Sequence, residues 1–134
     1  MLKILTGEMK DKVFPILYKQ CFGIASPKIF PPIMVAAYND KIVWGFSSGF
    51  GFNDAVFYVN ASGIIPEYRT KKNAVKLEKE AEKIYKTLGF LNVTAHIENI
   101  NKRALVTALM SGYTVTGSIL GRDGKTLVIV SKEI

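Results

Sequence analysis

The stretch "RTKKNA", Arg69 to Ala74, sets Lys71 and Lys72 just before a long amphipathic segment. Backbone N–H groups that open a helix lack partners, and the helix dipole favours negative charge beside them. Lys71 and Lys72 add positive charge suited to a phosphorylated group; without a ligand, the same residues are a solvated basic loop. His96 and Glu98 alternate along "FLNVTAHIE", so they share one strand face. If that face opens to a cleft, either can accept a proton directly or through water; a lone strand histidine also serves structure alone. Glu67 reads as a solvated strand-end charge, and Cys21 as a buried helix residue with no base beside it. With 1 His and 1 Cys in the chain, a metal site is not expected. In "NKRALVTALMSGY", Asn101 is a good helix N-cap, Gly112 closes the helix and Tyr113 begins the next strand.

These residues need a scaffold, and 134 residues suit one domain over residues 1–134. Hydrophobic content of 49% and charged content of 22% permit a packed core. No run approaches the roughly 18 apolar residues of a membrane span. The start, "MLKILTGEMKDK", lacks a signal peptide's apolar centre. The single cysteine excludes an internal disulfide, so a cytoplasmic location is the default. The net charge of +7 favours anionic partners without choosing among nucleic acid, a phosphorylated cofactor and an acidic protein.

Period and turn residues order the elements. "LKILT" is a short strand, and "GEMKDKVFPILYKQCF" has helical spacing in which Pro15 limits the start or forces a kink. "IMVAAY" and "KIVWGFSSGF" flank Asn39-Asp40 as a hairpin. "DAVFYVNASGIIPEYR" is a strand candidate in which Gly63 signals a bulge or a close approach and Pro66 an end. "NAVKLEKEAEKIYKTLG" is the clearest helix, with Ala74, Leu77, Ala81, Ile84 and Leu88 on one apolar face. "FLNVTAHIE" is a strand, "NKRALVTALMSG" a helix, and "YTVTGSILGRDGKTLVIVSKEI" a hairpin turning at "RDGK". The order β-α-β-β-β-α-β-α-β-β predicts an α/β fold, a mixed sheet flanked by helices.

That order and the residues at its joints resemble the GNAT superfamily of N-acyltransferases over nearly the whole chain. The resemblance rests on "VAAYNDKIVWGF", "IIPEYRTKKNA" and "NKRALVTALMSGY" in sequence order. It implies acetyl-coenzyme A as cofactor and transfer of its acetyl group to an amine. It places the cofactor on Ile64, Ile65, Arg69, Thr70, Lys71, Lys72, Asn73, Ala74 and Asn101. Arg69 and Ala74 match the family's loop pattern, whereas Lys72 stands where its first glycine is expected. The family's usual general acid, a tyrosine, aligns with Ala108. Tyr113 and Tyr85 lie near in sequence but not at that position. His96, Glu98 and Tyr113 are therefore the catalytic candidates.

Lys72, Lys76, Lys79, Lys83 and Lys86 line one side of the long helix, as a solvated face or as a patch for an acidic partner or nucleic acid. No nucleic-acid motif accompanies them, and nucleic acid is not the expected partner. Trp44, Phe46, Phe50 and Phe52 suit a substrate cleft, the sheet core or an interface equally. The expected acceptor is a small-molecule or protein amine. The terminal strands offer a route to a homodimer. A catalytically degenerate GNAT-like binding module is the alternative to an enzyme.

Overall fold

The computed structural model describes residues 2–121 and 123–134. The elements are β1 (Leu2–Leu5), α1 (Gly7–Phe22), β2 (Ile33–Asn39), β3 (Ile42–Gly51), β4 (Val56–Ile64), α2 (Lys71–Thr87), β5 (Asn92–Glu98), α3 (Lys102–Met110), β6 (Thr114–Leu120) and β7 (Thr126–Glu133). A 3₁₀ turn at Pro66–Tyr68 precedes α2. The order is the expected one.

Local chemistry sets most boundaries. Asp40 takes φ 52° in the β2–β3 turn, a left-handed conformation that Asp tolerates better than most residues. Pro15 does not set the start of α1, which opens at Gly7. The strand expected to end at Pro66 does so, with Ile64 its last residue. α2 opens at Lys71 rather than Asn73, because the Asn73 N–H donates to Thr70 Oγ1 at 3.0 Å and makes Thr70 the cap. In the expected "RDGK" turn, Arg122 lies outside the described residues. Gly124 takes φ 80°, and the Lys125 N–H donates to Asp123 Oδ1 at 3.2 Å.

The sheet has seven strands in the order β1-β2-β3-β4-β5-β7-β6. Every neighbouring pair is antiparallel except β4 and β5. Parallel pairing needs a long crossover, and α2 supplies it. Alternation along the strands splits the core in two. Phe14, Leu17 and Cys21 of α1 pack with Met34, Ala36 and Phe46 on one face. Ala81 and Tyr85 of α2 and Ala108 of α3 pack with Val35, Phe57, Val93 and Val130 on the other.

Gly63 is where α1 approaches β4 most closely. A Cβ there would stand 2.9 Å from Cys21 Cβ and 3.0 Å from Phe22 Cζ, so only glycine fits without a shift. The bulge lies elsewhere, where the β3–β4 register shifts between Ser48 and Gly49 and leaves Asn60 unpaired.

Candidate active site

β4 and β5 pair from Val56↔Asn92 to Val59↔Ala95 and then part. Each strand continues with its outer neighbour, β4 with β3 as far as Ile64↔Gly45 and β5 with β7 as far as Glu98↔Leu127. A wedge therefore opens inside the sheet, with one rim at residues 60–64 and the other at residues 96–98. The bulge at Asn60 sits where the parting begins, and a bulge bends its strand.

The loop into α2 follows the first rim. Asn73 Nδ2 donates to the Tyr68 carbonyl at 2.8 Å, and the Ala74 N–H to the Thr70 carbonyl at 3.0 Å. The N–H groups of Lys71 and Lys72 belong to the first turn and have no acceptor within the helix. Lys72 carries no strain from standing where a glycine was expected. It lies in the helix, and Asp40 is the one non-glycine with positive φ among the described residues. Arg69 braces the loop: its Nε donates to the Ile64 carbonyl at 3.0 Å, and its Nη2 to the Cys21 carbonyl at the end of α1. Ile65 is buried, with its N–H donating to the Trp44 carbonyl at 2.9 Å. The Trp44 ring stacks on Tyr68, centroids 5.9 Å apart and 11° from parallel. Ile64, Ile65, Arg69 and Thr70 to Ala74 thus gather at one end of the wedge. Asn101 stands past the end of β5, where its Oδ1 accepts the Ala104 N–H at 3.2 Å and caps α3.

The opposite face of the wedge carries different chemistry. Val93, Ala95 and Ile97 pack on the α2–α3 side, so Thr94, His96 and Glu98 point the other way. α1 packs on that face, but its cluster includes no described residue of β5, β6 or β7. A cleft of about 470 Å³ lies there, lined in part by Phe50, Phe52, Tyr58, Thr94, His96 and Ser131. His96 is the first β5 residue past the last β4 pair. Its ring lies 4.9 Å from that of Tyr58 at 71°, and Tyr58 lies 5.2 Å from Phe50 at 47°. Burial raises the Tyr58 phenol above its ordinary value. Glu98 Oε2 is 3.8 Å from Lys125 Nζ.

The remaining candidates separate from this pair. Tyr113 is buried on the α2–α3 side, so it does not share a face with His96 and Glu98. Burial, and next the nearby Glu78 carboxylate, drive its phenol far up. Lys132 Nζ lies 5.8 Å from its ring. Tyr85 is a core residue with its hydroxyl 2.5 Å from Ser47 Oγ. Cys21 is buried as expected; desolvation pushes its thiol up to about 11, partly offset by Arg69. Glu67 is exposed. The aromatic group divides: Trp44 and Phe46 are core, whereas Phe50 and Phe52 are exposed beside the cleft. Sequence reasoning missed Tyr58. Its signal is the parallel register Tyr58↔Thr94, which sets it on the His96 face.

No family model matches the sequence, and no curated protein matches it. Solved structures do match. The IAA acetyltransferase from Bacillus cereus superposes at TM-score 0.81 with 11% identity, covering 100% of this chain and 99% of that one. The fold is that of the GNAT N-acetyltransferases. The GNAT ribosomal-protein-S18-alanine N-acetyltransferase from Escherichia coli gives TM-score 0.77 at 12% identity, covering 100% of this chain and 94% of that one. Arabidopsis thaliana Naa50, solved with the bisubstrate analogue CoA-Ac-MVNAL, gives 0.74 at 14%, covering 99% of each chain. The mixed sheet expected from the sequence is thus the GNAT sheet.

Proposed function

We propose that the protein transfers the acetyl group of acetyl-coenzyme A to an amine, with His96 as general base. The wedge between β4 and β5 carries this reading. It joins a helix start suited to phosphates at one end to a histidine facing a cleft at its apex. The residues present fit the donor. The free N–H groups and ammonium groups of Lys71 and Lys72 would hold its pyrophosphate. The unpaired rim of β4 up to Ile64 offers backbone groups to its extended amide arm. Thr70, Asn73, Arg69 and Ile65 keep that loop in shape, Ala74 continues the helix behind it, and Asn101 shapes the far rim.

When bound, acetyl-coenzyme A supplies an acetyl group activated as a thioester. As the amine nitrogen bonds the acetyl carbon and the carbon–sulfur bond breaks, a ring nitrogen of His96 accepts the amine's proton. Tyr58, packed edge-on to the imidazole, orients it. Glu98 is the second candidate base, on the same face but beside Lys125. Ala108 has no proton to give, so the departing thiolate takes one from water. Lys72 and Ala108 together favoured a non-catalytic module, and an unstrained Lys72 removes the first ground.

Calorimetric titration with acetyl-coenzyme A tests the reading, paired with thiol-release rates on an amine panel. Micromolar binding, about −8 kcal/mol, is expected for the wild type and for His96→Ala. Turnover by His96→Ala is expected to fall about 100-fold. Absence of binding heat in both the wild type and Lys72→Gly overturns the reading.

A further inference from the structure

The His96 face also bears on which amine is used, an inference that rests on the proposed acetyl transfer. We propose that the acceptor is a monoamine with a planar aromatic body, an arylalkylamine in chemical class. The cleft leading to His96 has a wall of consecutive rings. Phe50 meets Tyr58 at 5.2 Å, and Tyr58 meets His96 at 4.9 Å. Phe52 stands beside them with 68% of its surface exposed. Together with Phe50 and Tyr58 it gives the cleft an apolar, ring-lined side that an apolar ligand can cover. An aromatic body gains offset or edge-on contact with such a wall.

Charge excludes the polycationic acceptors. Among the described residues no Asp, Glu, Lys or Arg lines the cleft, and the hydrogen-bonding side chains there besides His96 and Tyr58 are the neutral Asn53, Asn92, Thr94 and Ser131. A polyamine or aminosugar brings several ammonium groups, and each needs a carboxylate once it leaves water. Glu98, farther along β5, already lies beside Lys125. The net charge of +7 repels polycations further. A single ammonium is served by the Tyr58 ring face; it releases one proton to solvent, and the neutral amine then passes a second to His96 as it is acylated. The other apolar occupant of such a cleft is a long acyl chain on the donor.

The test measures acetyl-coenzyme A-dependent thiol release with 2-phenylethylamine, n-butylamine and spermidine, for the wild type and Phe52→Ala. In the wild type, kcat/KM for 2-phenylethylamine is expected to exceed that of both other amines at least about tenfold. Phe52→Ala is expected to remove most of that preference over n-butylamine. Preference for spermidine or n-butylamine overturns the acceptor class. So does preference for octanoyl- over acetyl-coenzyme A that disappears in Phe52→Ala. Calorimetric donor binding separates the two levels. Donor heat without turnover of the aryl amine overturns the acceptor class alone. No donor heat and no thiol release with any amine overturns acetyl transfer, and the acceptor class falls with it.

Discussion

Glu78 on α2 is a carboxyl group pressed toward the interior. Burial raises its proton affinity most, and Glu82 adds to the rise, while Ser111, Lys132 and Tyr113 oppose it. A carboxyl whose folded pKa lies above its unfolded pKa supports the fold while protonated. That support is complete below the unfolded value and fades as pH rises through the raised folded value. Glu78→Gln is therefore expected to raise the melting temperature at about pH 7 by a few degrees, and to change it little at about pH 4. Circular dichroism melts across that range check it; equal shifts at both ends would assign the effect to packing instead. Lys72 shows the same dependence on context in backbone terms. Read alone, a lysine in a glycine's place implies a strained loop. One cap hydrogen bond from the Asn73 N–H to Thr70 draws it into a helix where any L-residue is comfortable.

Among the elements, α2 is tied to the sheet by more than its apolar face. Lys132 Nζ on β7 donates to both carboxylate oxygens of Glu82, at 2.9 and 3.2 Å. Glu82 is largely buried and Lys132 about one-fifth exposed, with 22% of its side chain accessible. Removing one partner strands the other's charge. Lys132→Met is expected to cost about 2 kcal/mol, and Glu82→Leu/Lys132→Met to recover most of it. Urea unfolding measures both, and a double variant as weak as the single one would place the cost in packing. The elements themselves were legible from the sequence, since alternation, helical spacing, Asn39-Asp40, Pro66 and Asn101 are local signals. The boundaries that moved did so for tertiary or capping reasons. Asn73 became the third helical residue because Thr70 capped first. Gly63 marked a close approach rather than a bulge because Cys21 and Phe22 lie over it.

For the molecule as a whole, the site depends on which strands neighbour one another, and that is not local information. His96 and Glu98 were visible as a pair because they alternate on one strand. Tyr58 was not, because its place beside His96 depends on a parallel register set through α2. Tyr113 looked close to the site in sequence but lies across the sheet from it. Whole-molecule charge also shapes the chemistry. With a net charge of +7, affinity for a polyanionic donor is expected to fall several-fold between about 50 and 500 mM salt, seen as a rising Kd in calorimetry. A salt-independent Kd would mean that charge contributes nothing to donor binding. Trp44 is the chain's only tryptophan, and its ring lies flat on Tyr68, next to the arginine that braces the loop into α2. The protein therefore carries its own optical probe: any shift of Tyr68 on ligand entry changes the indole emission, and the event can be timed without a label.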